Sequence, residues 1–288
     1  MTQILQEPDF PPIQDSKTLE DFRIPDIPPA AFYIPNFITE EEEAYLLERL
    51  ESSPKPKWKT VGSGRRLQYW GGTMSKGGIL LPEEIPEFFT TFPDLIGRLK
   101  QTLQKAGADG LTMEPNQVLV NEYQSGQGIS PHEDGPAFEP LVATISLGSH
   151  TVLDIHHYIS TTSPSPPMVA IPPPEGDEAR PVAAVPLAHL LLLPRSLLII
   201  SASLYVSHLH AIGEKNEDAV KGRGTASENE VVIANAALLG EANIVNHLEQ
   251  GHTWIRARGT RTSLTFRRAL RVVKGGALGK AMGALRRP

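Results

Sequence analysis

The chain has 288 residues, 40% of them hydrophobic and 21% charged, with 26 prolines and no cysteine. That length can bury a full core, and the lack of cysteine excludes disulfides and thiolate metal sites, so any metal must be held by histidine and carboxylate. The formal charge of −6 is uneven: Arg256 to Pro288 carries ten Lys or Arg and no acid, leaving about −16 on the remainder. This predicts a local anion-binding surface, for a carboxylate or a phosphate backbone, and argues against tight non-specific binding of nucleic acid. The opening MTQILQEPDF has neither the basic end nor the apolar run of a signal peptide, and no stretch approaches a membrane span. A soluble monomer of cytoplasm and nucleus, without membrane contact, is the expectation.

In chain order, residues 1–30 are rich in proline and acid and read as a mobile arm. Thr39 with Glu42 forms a capping box before an apolar stripe of Leu46, Leu47 and Leu50, which predicts a helix. KPKWKTVGSGRRLQYWGG, from Lys55 to Gly72, reads as loop or hairpin. A second helix is predicted from Leu95 to Ala106, with Asp94 as its cap and Gly107 just beyond it. From Gln117 the period becomes two: Leu119, Asn121 and Tyr123 share one face of a strand, Val118 and Val120 the other. A turn at residues 125–128 leads to a strand from Ile129 to Asp134. LVATISLG, TVLDIHHY, LAHLLLL, SLLIIS and LYVSHLHAI follow as further strands, so the chain is mainly β with flanking helices, a barrel or sandwich. Two insertions interrupt the series: a proline-rich loop at 161–186 and a polar surface excursion at 213–251. The expected units are thus an arm (1–30), a helical and lid-bearing extension (31–113), a catalytic β domain (114–273) and a basic tail (274–288).

Three groupings carry chemistry. In an extended segment His132 and Asp134 point the same way and can grip one ion from one side. A distant histidine would complete a two-His, one-carboxylate face, leaving adjacent positions open as an Fe(II) oxygenase requires. On the strand RTSLTFR, Arg261, Ser263, Thr265 and Arg267 share a cationic, polar face, while Thr262, Leu264 and Phe266 form a largely apolar one. A guanidinium turned into a barrel needs an anionic partner, and a dicarboxylate matches its fork. Asn121 and Tyr123 add an amide and a phenol able to donate to such a ligand.

The order of these groupings, N-x-Y, H-x-D, a histidine some 80 residues on and R-x-S-L-T-x-R, resembles the AlkB-like Fe(II)/2-oxoglutarate dioxygenases. SPKPKW, GRRLQYWGG, VLVNEY, GISPHEDGP, TISLGSHTVLDI, PRSLLI and RGTRTSLTFRR are similar to the AlkB homologue six branch in particular, and the likeness runs from about Phe32 to Val273. It implies a double-stranded β-helix (a jelly-roll, cupin-like barrel) with Fe(II) held by His132, Asp134 and His210. His208, two residues earlier on the same face, competes for the third place, and the His-small-Ile ending of the family favours His210. Arg261 would pair with the distal carboxylate of 2-oxoglutarate, Arg267 would lie toward its metal-bound end, and Asn121 and Tyr123 would complete the pocket. Ser263 stands where many relatives carry Asn. His150, His156, His157, His189, His247 and His252 read as structural, and Glu133 as solvent-facing.

The implied reaction consumes O2 and 2-oxoglutarate, releases CO2 and succinate, and oxidises a substrate C–H bond; an N-methyl target would collapse to formaldehyde and an amine. In such enzymes the segment before the barrel covers the substrate. Here Trp58, Tyr69 and Trp70 would stack on a flipped base, with Lys55, Lys57, Arg65 and Arg66 near phosphates of DNA or RNA. A protein side-chain hydroxylase or demethylase, and a silent binding module on the same barrel, stay open as alternatives.

Overall fold

The structure, a computed structural model, describes residues 17–62, 64–104, 113–159, 170–171 and 180–273. Its principal strands form two antiparallel sheets, beside three smaller sheets of two or three strands. The larger has seven strands in the order Ala31–Ile34, Leu197–Ser201, Leu141–Gly148, Arg261–Arg267, Gln117–Tyr123, Arg66–Trp70 and Lys59–Thr60. The smaller has four, in the order Ala188–Leu192, Thr151–His157, His208–Ile212 and Ile129–His132. From Gln117 onward the chain alternates between these two sheets in the pattern of a jelly roll, apart from Thr151–His157 and Ala188–Leu192, which pair within the smaller one.

Period-two patterning explains how the larger sheet sits. Val118, Val120, Ala143, Ile145, Ile199, Leu264 and Phe266 form its outer face and pack on helices Glu40–Glu51 and Leu95–Gln104 through Leu46, Leu50, Leu95 and Leu99. Each such fully buried side chain contributes roughly 1.5–3 kcal/mol. Both helices start as the sequence predicts. The Thr39 hydroxyl accepts from the Glu42 N–H while the Glu42 carboxylate accepts from the Thr39 N–H, and Asp94 Oδ1 accepts from the Gly97 N–H. Glu42 also takes two bonds from Arg98, of 2.6 and 3.0 Å, joining the two helices. The inner face of the sheet is left to line the space between the layers.

Several expectations change. Residues 17–30 are not a mobile arm: Leu19, Ile24 and Ala30 are buried, and Arg23 bridges to Phe32. The boundary at 113/114 is not structural, because Ala31–Ile34 and the Lys59–Trp70 hairpin are strands of the larger sheet. Leu204–Val206, expected to be strand, belongs to a short helix, Ala202–Val206. The 213–251 excursion is partly core. Glu217–Lys221 pairs with Trp254–Ala257, and buried Asn235 clamps Leu191, accepting from its N–H at 2.9 Å and donating to its carbonyl at 2.8 Å. Three of the six basic residues within 256–273 are ion-paired: Arg258 with Asp218, Arg267 with Asp134, and Arg268 with Glu114 and Glu139. The expectations for 1–16, for most of the proline-rich loop and for the 274–288 tail lie outside the described residues.

Candidate active site

Register across the larger sheet builds one wall of a cavity. Tyr69, Leu119, Thr265, Thr144 and Leu198 lie in one cross-strand row, and Leu67, Asn121, Ser263 and Ser146 lie in the next. Directly paired residues project to the same side of a sheet, so both rows face inward. Ile129, Leu153, Leu192 and Ile212 close the opposite wall from the smaller sheet. The enclosed volume is about 250 Å³, just under the ~300 Å³ at which ligand pockets usually begin. A small acid fits inside; anything larger must enter by the mouth.

At one end of this cavity stand His132, Asp134 and His210. His132 and His210 are partners on adjacent strands, and their rings lie 4.3 Å apart between centroids. The ladder shifts between His210 and Ile212, a bulge of the kind that re-aims side chains beside active sites. The Ser130 carbonyl lies 2.9 Å from His132 Nδ1; with that proton placed there, Nε2 keeps its lone pair. Gly135 follows at φ +90°, a left-handed conformation that turns the chain away immediately after Asp134.

Burial lowers the pKa of both imidazoles. His210, further depressed by the neighbouring His132, is taken down to about 4. For Asp134 burial acts upward, but His210, Arg267 and His132 outweigh it and hold the carboxyl below its usual range. At neutral pH the trio is therefore two neutral imidazoles and one carboxylate, a donor set suited to a divalent transition metal. Among the described residues no group of three such side chains already stands in metal-binding geometry. Asp134 Oδ1 instead accepts a 3.0 Å bond from Arg267.

At the other end Arg261 is 4% exposed, with Nη2 donating to Ser146 Oγ at 3.0 Å and Nε lacking a partner. Its guanidinium sits 5.7 Å from the centre of the Tyr123 ring. Burial brings its pKa down to about 10, so it remains charged at neutral pH. No carboxylate among the described residues pairs with it. A buried cation so placed is costly unless an anion arrives to compensate it. That orphaned donor is the feature a carboxylate ligand fits.

Of the residues expected to bind co-substrate, Asn121, Tyr123 and Arg261 line the cavity. Arg267 lies at the metal end but is engaged with Asp134 and, at 2.7 Å, with Gln117 Oε1. These contacts brace the Asp134 carboxylate, and Arg267 Nε is left without a partner. His210 lines the cavity, whereas His208 does not and has Nδ1 2.8 Å from the Ser203 carbonyl. Glu133, expected in solvent, also lines the cavity and accepts from the Tyr158 hydroxyl at 2.8 Å.

The base-stacking set divides by strand parity. Leu67 and Tyr69 face the cavity, so Arg66, Gln68 and Trp70 face the helices. Arg66 makes two 2.8 Å bonds to Glu122 and lies 4.5 Å over Trp58. Trp70 donates to Gln68 and packs edge-on against Phe88. Trp58, Arg66 and Trp70 thus secure the hairpin to the body of the protein, and Tyr69 alone of the four reaches the site. Arg65, expected only near phosphates, lines the cavity as well. The alternation in RRLQYW was the signal for this sorting; aromatic character alone was a poor guide.

The chain matches the family model of the 2OG-Fe(II) oxygenase superfamily over residues 30–267. It belongs to that superfamily and is a 2-oxoglutarate-dependent dioxygenase. It is 35% identical over 256 residues to the probable RNA/DNA demethylase ALKBH6 of Danio rerio, spanning 89% of this chain and 92% of that protein. It is also 26% identical over 253 residues to the tRNA (carboxymethyluridine(34)-5-O)-methyltransferase alkbh8 of Xenopus tropicalis, covering 85% of this chain but only 32% of that longer protein. Among solved structures, OsALKBH1 superposes with a TM-score of 0.47 at 16% identity, over 84% of this chain and 99% of that one. No helix among the described residues is long and apolar enough to cross a membrane.

Proposed function

We propose that this dioxygenase demethylates alkylated nucleic acid, with His132, Asp134 and His210 holding Fe(II) and Arg261 receiving the distal carboxylate of 2-oxoglutarate. The observation that carries the reading is the single cavity with a two-imidazole, one-carboxylate face at one end and an uncompensated guanidinium at the other. The iron, when bound, supplies oxidising power from O2 and 2-oxoglutarate, coupling release of CO2 and succinate to oxidation of a substrate C–H bond. The protein's own work is orientation. Arg261 and Tyr123 anchor the diacid lengthwise, Asn121 donates to it from the side, and Arg267 steadies Asp134. The apolar wall of Leu119, Leu153 and Ile212 limits water. Tyr69 and Glu133, near the mouth, offer a stacking ring and a hydrogen-bond acceptor to an incoming base. The similarity to a probable RNA/DNA demethylase along nearly the whole length supports a nucleic-acid substrate.

The test is succinate and formaldehyde release across a panel of methylated DNA, RNA and peptide substrates. Turnover of methylated oligonucleotides is expected. Turnover confined to methylated peptides would replace the substrate assignment, and no succinate under any condition would indicate a silent barrel.

A further inference from the structure

Besides Arg261 and Arg267, the two guanidiniums expected at the co-substrate site, a further one, Arg65, lines the cavity. Arg65 closes the turn of the Lys59–Trp70 hairpin, where the Val61 N–H donates to the Arg65 carbonyl at 3.0 Å. Gly64, at φ +78°, brings that turn against the Gln127 side chain, within 2.9 Å of where a β-carbon would stand. From there Arg65 Nη1 donates to Asn121 Oδ1 at 2.7 Å and reaches the Tyr123 hydroxyl at 3.5 Å. Its guanidinium lies 5.5 Å from the centre of the Tyr123 ring, and that of Arg261 lies 5.7 Å from the same centre.

Arg65 is less buried than Arg261 but shares its lack of an anionic partner among the described residues. Its Nε is buried without a partner, and no carboxylate among the described residues pairs with it. These two guanidiniums have only neutral partners and line one cavity of about 250 Å³, leaving two cations for an entering anion to compensate. Because Asn121 Oδ1 accepts from Arg65, the amide NH2 of Asn121 is the group left to donate into the cavity.

We propose that Arg65 is a further carboxylate-binding guanidinium of the co-substrate pocket, and that binding of the diacid fastens the Lys59–Trp70 hairpin over the site. The proposal rests on the co-substrate reading above. It makes 2-oxoglutarate a structural link between pocket and hairpin, added to the sheet pairing and the Trp58, Arg66 and Trp70 contacts that already hold the hairpin to the body.

The experiment titrates 2-oxoglutarate calorimetrically into the Mn(II)-loaded protein and its Arg65→Met, Arg65→Lys and Arg261→Met variants. Circular dichroism confirms that each variant is folded. Loss of a charge-assisted contact is expected to weaken 2-oxoglutarate binding by Arg65→Met at least about tenfold, and Arg65→Lys by less. Hydrogen exchange across residues 59–70 is expected to slow when 2-oxoglutarate binds the parent protein but not Arg65→Met. Affinity within about twofold of the parent in Arg65→Met, with Arg261→Met still weakened, would overturn this proposal alone. Unchanged affinity in both would bring down the co-substrate assignment itself. A fall in single-stranded oligonucleotide binding by Arg65→Met with 2-oxoglutarate affinity intact would assign Arg65 to substrate phosphate and also overturn the proposal.

Discussion

Replacing Arg261 by Met should move stability and ligand binding in opposite directions. In the ligand-free protein Arg261 is a buried charge with one neutral partner, Ser146, and burial has brought its pKa down to about 10. At ~1.4 kcal/mol for each tenfold change in proton affinity, that burial costs the empty fold roughly 3 kcal/mol. Met has a similar length and no charge to desolvate. Losing the Ser146 bond returns about 1 kcal/mol of the gain. The net stabilisation of the empty protein is therefore about 2 kcal/mol, a rise in Tm of roughly 3–4 °C for a chain of this size. The pH dependence follows the same logic. Below pH 10 both folded and unfolded states hold the proton and the penalty is felt in full. As pH rises past about 10 the folded state releases it first, so the parent gains stability that the variant already has. Binding goes the other way: losing a two-pronged contact to a carboxylate should weaken 2-oxoglutarate by about 100-fold or more. Differential scanning fluorimetry with Mn(II), with and without 2-oxoglutarate, reads both effects. A variant that melts lower when empty, or that keeps its 2-oxoglutarate-induced shift, would refute the idea of an orphaned cation awaiting an anion.

Further outcomes are expected elsewhere. His132→Ala and His210→Ala should lose metal-dependent thermal stabilisation while His208→Ala keeps it, and metal content after dialysis would reveal the opposite pattern if the third ligand were misassigned. Asp134→Asn should in addition strand the buried Arg267 and cost the metal-free protein about 3 kcal/mol, measurable by urea denaturation. Tyr69→Ala should weaken oligonucleotide binding with little loss of stability, whereas Trp70→Ala should lower stability by about 2 kcal/mol and leave binding near the parent value. Asn235→Ala should unpair the Leu191 backbone and cost about 2–4 kcal/mol in chemical denaturation, with 2-oxoglutarate affinity unchanged.

Much of this protein is written in local rules. The period-two runs at Gln117–Tyr123 and Arg261–Arg267, the Thr39/Glu42 capping box and the H-x-D spacing each depend on neighbours only a few residues apart, so backbone periodicity alone determines which side chains share a face. The tertiary structure decided what each face meets. Nothing near Arg267 in sequence indicates that Asp134, 133 residues away, claims its guanidinium, or that His208 turns to Ser203 and leaves the cavity to His210. The same holds for the hairpin: parity separates Tyr69 from Trp70, but only the packing of helix Glu40–Glu51 behind the sheet makes one side interior scaffold and the other a binding wall. Arg65 is the clearest case. Its neighbours in sequence suggest a solvated cation, and its uncompensated charge becomes visible only when the hairpin is laid beside Asn121 and Tyr123, because whether a charge is paired depends on contacts that long loops close.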